Sequence, residues 1–316
     1  VQDAQQALVK SLLSVLPAKL DGVYVVNSGT EAIEAALKLA KRVTGRTELV
    51  SFKGSYHGST HGAMSVSADE VKKIAFRPLL PDVRILAHNE LSVLDQITQK
   101  TAGVILETVQ GDAGVRKPSL EFMQALRKRC TEVGALLILD EIQCGMGRTG
   151  KIFAFEHFGI VPDVLTLGKA LGGGMPIGAL VAAQEHLNLF THEPMLGHIT
   201  TFGGHPMVCA AAAATIDVLT TEIRWEELEA QAASFSAQIA SHPKVLAHRR
   251  VGSMFAFDLQ DATEVEKVVQ YCLAKGLITF WFLSHPYSFR LSPPLNLSES
   301  EWDQALVIIL AALDQL

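Results

Sequence analysis

The chain has 316 residues, of which 48% are hydrophobic and 19% charged, with a formal net charge of −6. That composition belongs to a core-forming globular protein, excludes a disordered chain and gives no basic footprint for nucleic acid. No apolar run approaches the ~20 residues of a membrane span, and four scattered cysteines without a C-x-x-C pair suit a reducing, cytoplasmic setting rather than a disulfide framework or zinc ribbon.

Val1–Leu16 reads as an amphipathic helix with Ala4, Leu8, Leu12 and Val15 on one stripe. It lacks the continuous apolar stretch of a signal peptide. The first residue is not Met, so an upstream targeting segment would be invisible. Val23–Val26 is a strand, after which Ser28 caps a helix to about Val43, Glu31 completes an S-x-x-E capping box and Gly45 ends it. Further strands are expected at Glu48–Phe52, Val83–Ala87, Val104–Glu107, Leu136–Leu139, Val164–Leu167 and Ala179–Ala182, with helices at Leu91–Gln99 and Leu120–Val133. The alternation predicts an α/β fold with a mostly parallel sheet covered on both faces.

After an Ala-rich helix, Met207–Leu219, the rhythm changes. Trp225–Ile239, Ala262–Lys275 and Ser298–Leu313 read as helices and Ser253–Leu259 and Phe289–Leu291 as strands, with Ser298 and Glu301 forming a second capping box. A large α/β domain over 1–214 and a smaller α+β domain over 215–316 are therefore expected.

In open α/β sheets, ligands bind beyond the carboxyl ends of the strands, and the chain's unusual residues fall there. Asp140 directly follows the apolar run Ala135–Leu139. It is either an ordinary strand–loop junction or a carboxylate facing a cation such as a protonated pyridine nitrogen. Lys169, in Gly168-Lys169-Ala170-Leu171-Gly172-Gly173, is either a surface lysine in a flexible loop or an enclosed amine made nucleophilic by burial. Ser28-Gly29-Thr30 opens a helix, where free N–H groups suit a phosphate as well as a plain cap. Tyr56 in Tyr56-His57-Gly58 could stack on a planar ligand. His57 and His61 are four residues apart, but the intervening Gly58 and the lack of an H-E-x-x-H pattern point to no metal site. Arg290 is a salt-bridged strand residue or a two-point grip on a carboxylate. A strand-end Asp and a strand-end Lys behind a phosphate-ready helix start form the pattern used by pyridoxal-phosphate (PLP) enzymes.

The segments Asn27 to Ala32, Tyr56 to Gly58, Glu107 to Gly114, Asp140 to Gln143, Gly147 to Gly150, Thr166 to Lys169, Thr201 to Gly204 and Arg290 to Leu295 resemble, in order, those of the class III aminotransferases. This family includes acetylornithine, ornithine and 4-aminobutyrate aminotransferases. The resemblance implies the type I PLP-dependent transferase fold and a homodimer with a shared site. It implies that Lys169 would bond the cofactor covalently and relay a proton, and that Asp140 would keep the pyridine nitrogen protonated. Gln143 would bond the ring hydroxyl, Ile142 and Tyr56 would cover the two ring faces, and Glu107 and His57 would belong to the ring surroundings. Ser28, Gly29 and Thr30 would bind the phosphate, joined by Thr201 reaching into a partner subunit. Arg290 would grip the substrate carboxylate, with Asp112 as its resting partner.

Four departures from the family pattern stand out. The family's long N-terminal segment is expected to be missing, His205 replaces the usual Asn, and Asp112 replaces a Glu. Ser59 stands where acetylornithine and ornithine enzymes carry Arg. The expected reaction is ping-pong transfer from an amino donor, N-acetylornithine, ornithine or another ω-amino acid or diamine, to a 2-oxo acid, namely 2-oxoglutarate. A racemase or mutase of the same fold and a non-catalytic fragment or homologue are the alternatives.

Overall fold

A computed structural model describes residues 2–316. Val1, where the first helix was expected to start, lies outside them. Seven strands, β1 (Gly22–Val26), β2 (Glu48–Phe52), β3 (Val83–Leu86), β4 (Thr101–Glu107), β5 (Leu136–Asp140), β6 (Val164–Leu167) and β7 (Gly178–Ala182), form one sheet in the order β1-β7-β6-β5-β4-β2-β3. β7 runs antiparallel to both its neighbours, and the pairs from β6 to β3 are parallel. This is the mostly parallel α/β sheet expected from the strand–helix alternation.

Successive residues of a strand face opposite sides. Val104, Leu106, Leu137, Leu139, Leu165 and Leu167 therefore share one core with the helices Asp3–Ser14, Leu120–Val133 and Pro206–Thr221. Ile105, Leu136, Ile138 and Val164 face the other way, against Ile33, Ala36, Leu37 and Ala40 of the helix Gly29–Thr44. Each fully buried Leu, Ile or Val stabilises this sandwich by about 1.5–3 kcal/mol before entropy is counted.

A second, antiparallel sheet comprises β8 (Ala247–Val251), β9 (Met254–Asp258), β10 (Phe280–Trp281) and β11 (Ser288–Leu291), in the order β10-β11-β9-β8. Its core, with Phe255, Phe257 and Phe289, packs on the helices Trp225–Ala240, Ala262–Ala274 and Glu299–Leu313. Ile223, Trp225 and Leu295 touch both this core and that of the large sheet, which seats the small sheet beside the strand ends. The expected boundary at 214/215 falls inside the helix Pro206–Thr221.

Several local expectations need correction. Leu91–Gln96 is a 3₁₀ turn rather than an α-helix reaching Gln99. The Ser28 hydroxyl caps its helix by accepting from Glu31 N–H, but the Glu31 carboxylate accepts from Asn27 N–H and so does not close the box on Ser28. The second box, Ser298 with Glu301, does close. The short helices His61–Val66 and Glu70–Lys73 and the strands β8 and β10 lacked a readable period, being too short or, in Ala247–Val251, largely polar.

His88 packs against Phe52 and Phe122, at 6.5 and 6.2 Å between ring centroids. Burial, aided by the nearby Arg116 charge, pushes its pKa from 6.5 down to about 4. The folded chain thus binds this proton more weakly than the unfolded chain. The stability His88 contributes is present above pH 6.5 and is lost as pH falls through 4. Urea unfolding at pH 7 and pH 4 should show the wild type losing on the order of 2–3 kcal/mol more than a His88→Phe variant. Equal losses would remove His88 from the acid response.

Candidate active site

The carboxyl ends of the parallel strands converge on a cavity of about 240 Å³ lined by Gly29, Thr30, Tyr56, His57, Gly58, Ser59, Glu107, Val109, Asp140, Ile142, Gln143, Cys144 and Lys169. Strand register makes this possible. Glu107 of β4 is the register partner of Asp140 of β5, which in turn pairs with Thr166 of β6, three residues before Lys169.

Asp140 ends β5 and is buried. One carboxylate oxygen accepts the Ile142 N–H at 3.0 Å, and the other is 2.7 Å from His57 Nδ1. His57 is itself buried, and its backbone N–H donates to Ser67 Oγ at 2.9 Å. The carboxylate fixes Nδ1 as the donor and leaves the buried Nε2 without a protein partner. Glu107 accepts N–H groups from Tyr56 and Gly111, both at 2.9 Å, and so ties two loops to the strand end. Burial, with a smaller push from Asp140, raises the Glu107 pKa to about 7, against the pull of His57.

Glycines set the shape of the walls. A Cβ on Gly29 would meet Ile142 Cγ2 at 2.8 Å, and one on Gly168 would meet Gly29 Cα at 3.3 Å. The loops after β1 and β6 therefore meet through bare backbone, and the Ile142 side chain from the loop after β5 packs on both glycines. Gly111 leaves the space filled by the Gln143 amide. Lys169 adopts φ +43°, the left-handed region that costs a side-chain-bearing residue about 1–2 kcal/mol. It is exposed at the cavity mouth and not enclosed as expected, because it starts an open 3₁₀ turn, Lys169–Gly172.

The PLP implied by the resemblance fits these walls. The helix Gly29–Thr44 starts at the cavity, and among the described residues the N–H groups of Gly29 and Thr30 have no partner. A phosphate suits them. Tyr56 and Ile142 line the cavity as candidate ring covers, and Asp140 offers a carboxylate to a ring N–H. Ser28 does not line the cavity, since its hydroxyl is spent on the cap. Thr201 is exposed and also lies outside it.

A second cavity of about 650 Å³ shares Tyr56, Gln143 and Lys169 with the first and adds Asp112, Arg148, Phe280, Leu283, Arg290 and Ser292. It sets Arg290 of the small sheet opposite the large sheet's strand ends. Asp112 and Arg290 both line it, but Asp112 is not ion-paired with Arg290. Its carboxylate accepts from Leu283 N–H at 3.1 Å and Ser284 Oγ at 2.9 Å, and Lys72 Nζ lies 3.7 Å away. Sequence reasoning missed Val109, Cys144, Arg148 and Phe280. Cys144 and Arg148 sat beside or within motifs already noted, whereas Phe280 lies on a two-residue strand with no pattern to mark it.

In Gly29→Ala the added methyl would crowd Ile142, a residue of the cavity wall. Affinity of the apo-protein for PLP should fall about tenfold, the 1–3 kcal/mol scale of overpacking, when titrated by fluorescence. Unchanged affinity would show that the Gly29–Ile142 contact does not shape the cofactor's space.

The Aminotransferase class-III profile matches residues 1–313. The chain is 40% identical to a putrescine aminotransferase of Pectobacterium atrosepticum, over 95% of this chain and 67% of that one. It is also 40% identical to an acetylornithine aminotransferase of Archaeoglobus fulgidus, over 93% and 76%. A solved ornithine aminotransferase from Toxoplasma gondii superposes with a TM-score of 0.91 at 26% identity, covering 100% of this chain and 76% of that enzyme. The chain belongs to the class III aminotransferases, enzymes that depend on pyridoxal phosphate.

Proposed function

We propose that this aminotransferase takes its amino group from a donor with a terminal amine, N-acetylornithine or ornithine first and another ω-amino acid or a diamine next, and passes it to 2-oxoglutarate by a ping-pong mechanism. The observation that carries the reading is the convergence of Lys169, Asp140 and the Gly29–Thr30 N–H groups on one cavity, with Arg290 in the next. The names of the relatives, acetylornithine and putrescine aminotransferase among them, support a terminal-amine donor.

PLP, when bound, supplies an aldehyde that captures amines and a ring that withdraws electrons. Gly29 and Thr30 would hold its phosphate, while Tyr56 and Ile142 would cover its ring. Asp140, oriented by His57, would accept the ring N–H, and Gln143 would bond the ring hydroxyl. Lys169 Nζ would attach the cofactor and then carry a proton to and from the substrate carbon. Glu107 would keep the Tyr56 loop in place. Arg290 would hold the α-carboxylate of the acceptor.

Ser59 bonds the Tyr56 hydroxyl at 2.9 Å and offers no cation. A third cavity of about 690 Å³, lined by Ser59, Met64, Lys72, Lys73 and Phe76, adjoins at Tyr56 and gives room for the rest of the donor. The reading includes a cofactor-binding domain over 1–214, a smaller domain over 215–316, and a cytoplasmic homodimer in which Thr201 serves the partner's phosphate. Exposed Met195, Leu196, Ile199, Phe202 and Met207 around Thr201 support the dimer, since so many adjacent apolar side chains ask for cover. Four free, buried cysteines suit a reducing compartment.

A donor panel with 2-oxoglutarate, read as glutamate formed, tests the reading. Donor isomerised without acceptor, or no glutamate from any terminal amine, would overturn it. Lys169→Ala should lose the borohydride-stabilised cofactor adduct in the intact mass, and persistence of that adduct would take Lys169 out of its role. Asp140→Asn should keep cofactor bound yet lower kcat by about 10²-fold or more, the scale of a lost electrostatic partner. Near-normal turnover would refute that assignment.

A further inference from the structure

Arg290 is half-buried, yet among the described residues its guanidinium makes no ion pair and no side-chain hydrogen bond. Two aromatic faces hold it instead. Its central carbon lies 5.4 Å from the Phe280 ring centroid and 5.7 Å from that of Phe282, within cation–π range. Phe280 is the register partner of Arg290 across β10 and β11, so strand pairing fixes the contact. Trp281 stacks on Phe280 at 4.1 Å, while Phe282 is buried among Val109, Val115 and Met254.

Asp112, the acidic residue of the same cavity, acts on Arg290 through its charge at longer range than an ion pair, while its carboxylate oxygens are bonded elsewhere. It joins its own loop to the loop after β10 through Leu283 N–H and Ser284 Oγ, with Lys72 as its ionic partner. Lys72 in turn lies 3.3 Å from Asp69 and 3.3 Å from Ser284 Oγ.

We propose that Phe280 and Phe282 are positioning residues that hold Arg290 as a standing carboxylate seat, and that Asp112 is a latch between the two sheets' loops and not the counter-ion of Arg290. An ion-paired arginine must break its pair before each carboxylate binds. A guanidinium held by ring faces keeps its N–H edge free, so a carboxylate can dock without displacing an anion. The inference rests on the reading of Arg290 as the acceptor's grip and assigns the residues that orient it.

The test is calorimetric binding of glutarate, an unreactive dicarboxylate, to the holoenzyme, beside 2-oxoglutarate kinetics. Arg290→Gln should abolish glutarate binding. Phe280→Leu, which keeps bulk and removes the ring, should weaken it about two- to fivefold, the worth of an exposed cation–π contact. Phe280→Tyr should restore it. The same Leu variant should raise KM for 2-oxoglutarate by a similar factor, with kcat little changed. Asp112→Asn should leave the glutarate Kd within twofold of wild type.

Wild-type affinity in Phe280→Leu, or no glutarate binding by the wild type, would overturn the proposal. So would tighter binding by tenfold or more in Asp112→Asn, as expected of a removed competitor. If the wild type binds glutarate in the expected pattern but forms no glutamate from 2-oxoglutarate, the seat stands and the acceptor assignment fails.

Discussion

A carboxylate on the last residue of a fully buried strand is the constraint around which the site is built. Asp140 is nearly shut off from solvent, and a buried unpaired charge costs several kcal/mol. The fold meets that cost with the Ile142 N–H from the following loop and with His57 from a loop two strands away. His57 is fixed in turn by Ser67, so the geometry of the β2 loop depends on Asp140 as much as Asp140 depends on it. Glu107 stands beside Asp140 in register, and burial together with that neighbouring charge holds its carboxyl near pKa 7. Two carboxyls at adjacent strand ends thus experience different surroundings, one facing a histidine and one facing two backbone N–H groups.

Close approach of bare backbone does the remaining shaping. β1 and β5 are not neighbours in the sheet, since β7 and β6 lie between them. Their loops still meet over the strand ends because Gly29 and Gly168 carry no side chain to keep them apart. The same crowding brings the start of the helix Gly29–Thr44, with its free N–H groups, into the cavity wall beside Gly58. Lys169 follows in a left-handed conformation that aims the chain out of β6 and along the mouth of the cavity.

The small sheet supplies chemistry as well as bulk. Trp225 and Leu295 pack over Gly147, where a side chain would collide with both. That contact seats β11 so that Arg290 reaches the second cavity. On this side of the site the electrostatics are handled by aromatic faces and by an acid tied to a loop, in contrast with the paired groups around Asp140.

The sequence by itself determined the parallel sheet, because buried strands such as β4 and β5 carry short continuous apolar runs, Val104–Leu106 and Leu136–Leu139, although β4 starts three residues earlier than that run shows. It also determined which strand ends carry Asp140 and Lys169, since an ionisable residue at or just past the end of such a run stands out. Motif resemblance added Gln143, Ile142, Tyr56 and Arg290. Only the tertiary structure decided who pairs with whom. His57 against Asp140, 83 residues apart, and Asp112 against Ser284, 172 apart, are set by sheet register and loop crossing, to which local sequence is blind. Phe280 beside Arg290 depends on a two-residue strand too short to show any period. The exposure of Lys169 and the unshared cap of Ser28 likewise followed from backbone geometry at loop ends, where a single φ angle redirects a side chain whose identity stays the same.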